Sequence, residues 1–191
     1  MTQPRIPLLD VDSNFSPEQQ RVVDALVGRR GGRIPGPFRF ALHCPEIAEA
    51  MHPLGETLRL KTTFPLRLSE LAIIVTARAW DCDYVFQAHA KIAIENGLAA
   101  GVAETIAKGE RPSLEKNDEK AVYDYCSELF ENHEVSDATY ERARKLFGEQ
   151  KLVELTLLIG YYGMVSMTLL AHRMPLPKNV EPPLAKRNKK A

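Results

Sequence analysis

Residues 70–98 read ELAIIVTARAWDCDYVFQAHAKIAIENGL, two apolar patterns that meet at Asp81-Cys82-Asp83. The first reaches back to Arg67 and sets Leu68, Leu71, Ile74, Val75 and Ala77 at helical spacing. Isoleucine and valine would also suit a strand, but the length and the alanines favour a helix to Trp80. The aspartates interrupt the pattern. A second helix is predicted from Tyr84 to about Asn96, stopped by Gly97.

Outward from this pair the same signals recur. Ser16-Pro17-Glu18-Gln19 is a helix start, with a hydroxyl cap, proline at the first helical position and a capping-box glutamine. That helix carries Val22, Val23 and Leu26 and stops near Gly28, before a glycine- and proline-rich loop over 29–37. A helix from about Pro45 carries Ile47, Ala50, Met51 and Leu54, with Pro53 kinking or ending it. Further helices are expected up to Gly109, from Glu115 to Glu134, from Asp137 to Phe147 behind Ser136, and from Glu149 to about His172. The last is apolar nearly all round, so it should lie buried or at a subunit contact. No stretch reads as a strand. The expected fold is all-α, a multi-helix bundle of six to eight helices. One domain should span 1–175, and the Pro-rich basic tail 176–191 should be disordered.

Composition narrows the partners. Lysine plus arginine equals aspartate plus glutamate, 25 each, so no net charge invites a nucleic acid or an acidic membrane. No run of eighteen apolar residues suggests a membrane span, and Met1 to Pro7 lack the apolar stretch of a signal peptide. Three widely spaced cysteines, Cys44, Cys82 and Cys126, do not look like a disulfide framework, which suggests a cytoplasmic protein with reduced thiols. The histidines and cysteines show no metal-ligand spacing, and no cofactor motif occurs, so neither metal nor cofactor is expected.

The spacing of Glu70, Cys82 and His89 resembles the central motif of the carboxymuconolactone decarboxylase and alkylhydroperoxidase D-like superfamily. Redox members of that superfamily show a glutamate, twelve residues on a CxxC, then three residues and a histidine. Pro45-Glu46-Ile47 and Leu54-Gly55 look like its first helix, and Leu155 to Pro177 like its last. The resemblance implies an alkylhydroperoxidase D-like fold, a small-molecule substrate, and trimers or hexamers. One departure matters: the second thiol of the CxxC falls on Val85. Valine excludes an internal disulfide relay, and it excludes proton transfer from that position.

Within the motif, His89 is the candidate general acid and base, or else a satisfied core histidine. Glu70 either orients His89 or relays a proton, or else forms a salt bridge with Arg67 one turn away or with another helix. Cys82 lies seven residues from His89, about 10 Å along a straight helix at roughly 1.5 Å per residue, so direct contact needs a turn at 81–83. If Asp81 caps the second helix, Cys82 gains its unsatisfied amides, which favour a thiolate, while Asp81 and Asp83 disfavour one. An inert buried cysteine is the alternative. Arg67 or Arg78 could anchor a substrate carboxylate. Trp80, Phe86, Tyr161 and Tyr162 are candidates to line the pocket. Three functions follow: a decarboxylase-like lyase working through His89, a thiol antioxidant using Cys82 with an external resolving thiol, and a non-catalytic ligand-binding descendant.

Overall fold

The structure, a computed structural model, describes residues 3–28 and 32–186. Helices and turns make up all of its secondary structure among the described residues, and the fold is an all-α multi-helix bundle. Two compact units are distinguished: Met1–Lys61 with Met167–Pro175, and Thr62–Ser166 with Leu176–Ala191.

In the first unit, α1 (Pro17–Val27) starts with the expected capping box. The Gln19 amide donates to Ser16 Oγ at 3.2 Å, and the Ser16 amide donates to Gln19 Oε1 at 3.0 Å. The short α2 (Phe38–Ala41) leads to α3 (Pro45–Glu56). Pro53 does not end α3, which runs on to Glu56 and widens into a π turn at Thr57–Lys61. A proline removes one amide donor from the ladder, and the widened turn follows one turn downstream. On α3, Ala48, Met51 and Gly55 are buried, while Ile47 and Leu54 are exposed.

In the second unit, α4 (Leu66–Ala79) is buried continuously from Leu68 to Arg78 and packs against α5 (Asp83–Glu95), α6 (Ala100–Lys108) and α7 (Asn117–Asn132). Fully burying each large aliphatic side chain contributes about 1.5–3 kcal/mol, so α4 is the core of this unit. Its polar residues must then find partners inside. Thr76 returns its hydroxyl to the Ala72 carbonyl at 2.8 Å, and Ser69 bonds the Leu66 carbonyl at 3.1 Å. Glycines stop the helices as the sequence predicts. Gly97 (φ 95°) follows α5 and Gly109 (φ 79°) follows α6, both left-handed. The helix α8 (Asp137–Ala171) is broken at Gly148, whose φ of 75° and ψ of 170° lie outside helical space. The break separates the two arms that the sequence indicates. Within this unit the second arm buries Leu152, Leu155, Leu158, Ile159 and Tyr162. The whole of α8, Asp137–Ala171, is long and apolar enough to cross a membrane, yet 56% of its most apolar window is buried in the protein, as in a core helix.

The tail departs from expectation. Residues 176–186 contain no helix, but Leu184 is buried and Ala185 is hydrogen-bonded through both its amide and its carbonyl. The disorder predicted for 176–191 therefore fails at these two residues, because backbone bonds to folded elements hold them. Residues 187–191, most of the basic run, lie outside the described residues.

Candidate active site

The site is built at the corner between α4 and α5. Helix α4 ends in a reverse turn in which the Cys82 amide donates to the Ala77 carbonyl at 2.8 Å and the Asp81 amide to the Arg78 carbonyl at 3.1 Å. This is the Schellman pairing, which requires a left-handed residue between its two bonds. Asp81 takes that place with φ 53°, a position aspartate tolerates better than most side chains. Asp81 is thus not the cap of α5, as the sequence reading supposed. Cys82 is the N-cap, and Asp83 is the first helical residue.

That placement decides the surroundings of the sulfur. Cys82 is only 1% exposed, and burial pushes its thiol above the ordinary range. Opposing this are the amide of Val85, the hydroxyl of Ser166 and the amide of Tyr84, which favour the thiolate, while the charge of Asp83 disfavours it. Burial dominates, so the protonated thiol is favoured near neutral pH.

One turn past Val85, His89 projects from α5 toward α4. Its Nδ1 lies 2.6 Å from Glu70 Oε2, and Glu70 is 1% exposed. An ionised carboxylate only accepts hydrogen bonds, so it selects the imidazole form carrying a proton on Nδ1. No described protein atom hydrogen-bonds Nε2. Tyr162 of α8 packs edge-on to the imidazole with ring centroids 4.9 Å apart, and Tyr161 packs edge-on to Tyr162 at 5.7 Å. The imidazole is therefore fixed by a carboxylate at one nitrogen and a phenol ring at its side. Of the two alternatives for Glu70, the structure takes His89.

Arg67 goes elsewhere. Its guanidinium reaches Asp118 at 2.6 Å and also pairs with Glu119, tying the start of α4 to the start of α7. Arg78 donates to the Ala185 carbonyl at 2.8 Å and pairs with Asp81 at 3.2 Å. Both arginines suggested as carboxylate anchors are engaged by partners within the chain. Phe86 is buried, and Trp80 is half-exposed at the end of α4. A cavity of about 150 Å³ lined by Arg78, Ile106, Gly109, Tyr123 and Phe130 includes none of Glu70, Cys82 and His89.

Ser166 was missed by the sequence reading. It is fully buried, and it lies one turn beyond Tyr162 on α8, so the two share a helix face. A serine in the apolar run 157–170, four residues from a tyrosine, was the available signal.

Residues 45–109 match the family model described as carboxymuconolactone decarboxylase family, a span that contains Glu70, Cys82 and His89. The match covers about a third of the chain, and over that segment the chain is similar to the carboxymuconolactone decarboxylase family. Solved structures share its fold. An alkylhydroperoxidase D-core, uncharacterized peroxidase-related protein from Ralstonia eutropha JMP134 superposes with a TM-score of 0.74 at 17% identity, over 93% of this chain and 94% of that one. A peroxidase-related protein from Silicibacter sp. TM1040 gives 0.72 at 17%, over 93% and 96%. The debrominase Bmp8, solved as a cysteine-to-alanine variant in complex with 2,3,4-tribromopyrrole, gives 0.70 at 14%, over 93% and 94%. Among curated proteins none matches the chain. Likeness at these identities shows the shared fold and leaves the reaction open.

Proposed function

We propose that the chain is a decarboxylase-like lyase of the carboxymuconolactone decarboxylase type that transfers a proton through His89 to a small carboxylated, ring-derived metabolite. The observation that carries the proposal is the buried 2.6 Å bond from His89 to Glu70, with no described protein atom hydrogen-bonded to Nε2. A carboxylate that fixes the tautomer and orientation of an imidazole is the usual support for general acid–base work. When the bond to the carboxylate carbon of such a substrate breaks, carbon dioxide departs and the electron pair stays on the substrate as an enolate. His89, protonated at Nε2, gives that proton to carbon, becomes the neutral ring with its proton on Nδ1, and takes a new proton at Nε2 from water. Glu70 holds the ring and balances its charge. The brominated pyrrole bound by the debrominase supports a small ring as the kind of ligand this fold accommodates.

A second reading has its own observation. The amides of Val85 and Tyr84 and the hydroxyl of Ser166 all favour a thiolate at Cys82, as a hydroperoxide reductase would need. Against it stand the burial of the thiol and Val85 at the resolving position. Assays of a panel of lactones and β-keto acids separate the two. The lyase reading expects turnover that survives Cys82→Ser and falls by about 100-fold or more in His89→Gln, within the range general acid–base groups contribute. Loss of turnover in Cys82→Ser, with peroxide-dependent sulfenic acid in the parent protein, would replace it with the antioxidant reading.

Assembly is part of the proposal. On α8, Val153 is 58% and Leu157 is 55% exposed, and with Gly160 and Met164 they repeat at spacings of four, three and four. Such a seam suits another helix, which supports a homotrimer or homohexamer with the pocket near a subunit contact. The three free cysteines fit a cytoplasmic protein.

A further inference from the structure

The corner that holds Cys82 is crossed by the end of the chain. The Leu184 amide donates to Asp83 Oδ1 at 3.0 Å, the Ala185 amide donates to the Ala107 carbonyl at 3.0 Å, and the Ala185 carbonyl accepts from Arg78 Nη1 at 2.8 Å. Two consecutive residues thus bond the end of α4, the start of α5 and the end of α6. Arg78 also pairs with Asp81 at 3.2 Å, so the residues on both sides of Cys82 are tied directly or indirectly to this segment. Leu184 is only 8% exposed and gives the attachment an apolar anchor. Pro182 and Pro183 precede it, and their fixed φ reduces the freedom lost on docking.

We propose that Leu184–Ala185 is a strap that closes the α4–α5 corner and controls access to the Cys82 thiol. The helices beneath are held by continuous apolar burial. Among the described residues the strap is held by three hydrogen bonds and one leucine. An element with so few buried contacts opens locally at far lower cost than the helices it covers. Reagents and oxidants therefore reach Cys82 through strap opening, and Cys126, fully buried within α7, reports only wider unfolding. The claim concerns accessibility and does not depend on whether the reaction runs through His89 or the thiol.

The test uses the 191-residue protein carrying Cys44→Ser, which removes the exposed thiol. It is compared with versions ending at Pro183 and at Ala185, and with Leu184→Asp, which sets a carboxylate against Asp83. Each is alkylated with iodoacetamide at about pH 8, and labelling of Cys82 and Cys126 is resolved by peptide mass spectrometry. The expected result is a rise of about tenfold or more at Cys82 in the version ending at Pro183 and in Leu184→Asp, with less than about a twofold change in the version ending at Ala185. Cys126 should label at the parent rate throughout. The strap is overturned if Cys82 keeps its parent rate in both altered proteins, if Cys126 accelerates by the same factor, or if ending at Ala185 has the full effect.

Discussion

Removing the Glu70 carboxylate should cost the fold and the imidazole together, in a way that a double-mutant cycle can measure. Glu70 is 1% exposed and meets His89 at 2.6 Å. A hydrogen bond to a charged group contributes about 1.5–3 kcal/mol net, and stranding one member of a buried pair costs about 3–5 kcal/mol. Glu70→Ala should therefore destabilise by about 3–4 kcal/mol. His89→Ala leaves the carboxylate stranded and also loses the edge-on contact with Tyr162, worth about 0.5–1.5 kcal/mol, so its cost should be of similar size. In the double variant neither group remains to be stranded. Its destabilisation should fall short of the sum of the single effects by about 2 kcal/mol. Urea unfolding followed by circular dichroism gives all three values, and Glu70→Gln, which keeps an acceptor but loses the charge, should lie between the parent and Glu70→Ala. A coupling below about 0.5 kcal/mol would mean that the two groups do not support one another.

Gly109→Ala should destabilise by about 1–2 kcal/mol from the left-handed backbone alone; its new Cβ would also lie 2.7 Å from Arg78 Nη2, so faster alkylation of Cys82 should accompany the lower unfolding midpoint. Burial pushes Cys126 well above its ordinary value of 9.0. A raised folded value means that this stability is fully present below about pH 9 and is lost as pH climbs toward the folded value, at up to about 1.4 kcal/mol per unit. Between pH 9 and 11 the parent should lose stability more steeply than Cys126→Ala, and parallel slopes would refute this. Ser166→Ala removes a hydroxyl that favours the thiolate, so the pH profile of Cys82 alkylation should move to higher pH, and an unchanged profile would exclude the contact. Leu157→Glu places a charge in the exposed seam of α8, and light scattering should show a smaller assembly; a parent that is already a monomer would refute the seam.

The helix stops were legible because a glycine at positive φ is a local requirement: Gly97, Gly109 and Gly148 all lie where the sequence puts a break. The Glu70–His89 pair was legible only as one of two options, since spacing along one helix cannot say which neighbour a carboxylate meets. Arg67 is much nearer to Glu70 in sequence than His89 is, but Asp118 and Glu119, from a helix about fifty residues away, claimed it. The corner at Asp81 escaped for a different reason. A left-handed aspartate leaves no strong sequence mark, so the cap was set one residue early and Cys82 appeared inside the helix instead of at its cap. The strap escaped because proline-rich composition describes a chain without internal hydrogen bonds and is silent on bonds made to other elements. Ser166 was hidden by the opposite bias, since a hydroxyl in an apolar helix usually bonds its own backbone.

The account rests on Glu70 holding His89 through Nδ1 and leaving Nε2 for proton transfer. Long-range proton–nitrogen correlation spectra of imidazole-labelled protein, assigned by the signal that vanishes in His89→Gln, report which nitrogen carries the hydrogen. The expected neutral form has its proton on Nδ1, with a downfield, slowly exchanging resonance that Glu70→Gln shifts upfield. A neutral His89 protonated at Nε2, with Nδ1 bare and the spectrum indifferent to Glu70, would contradict it.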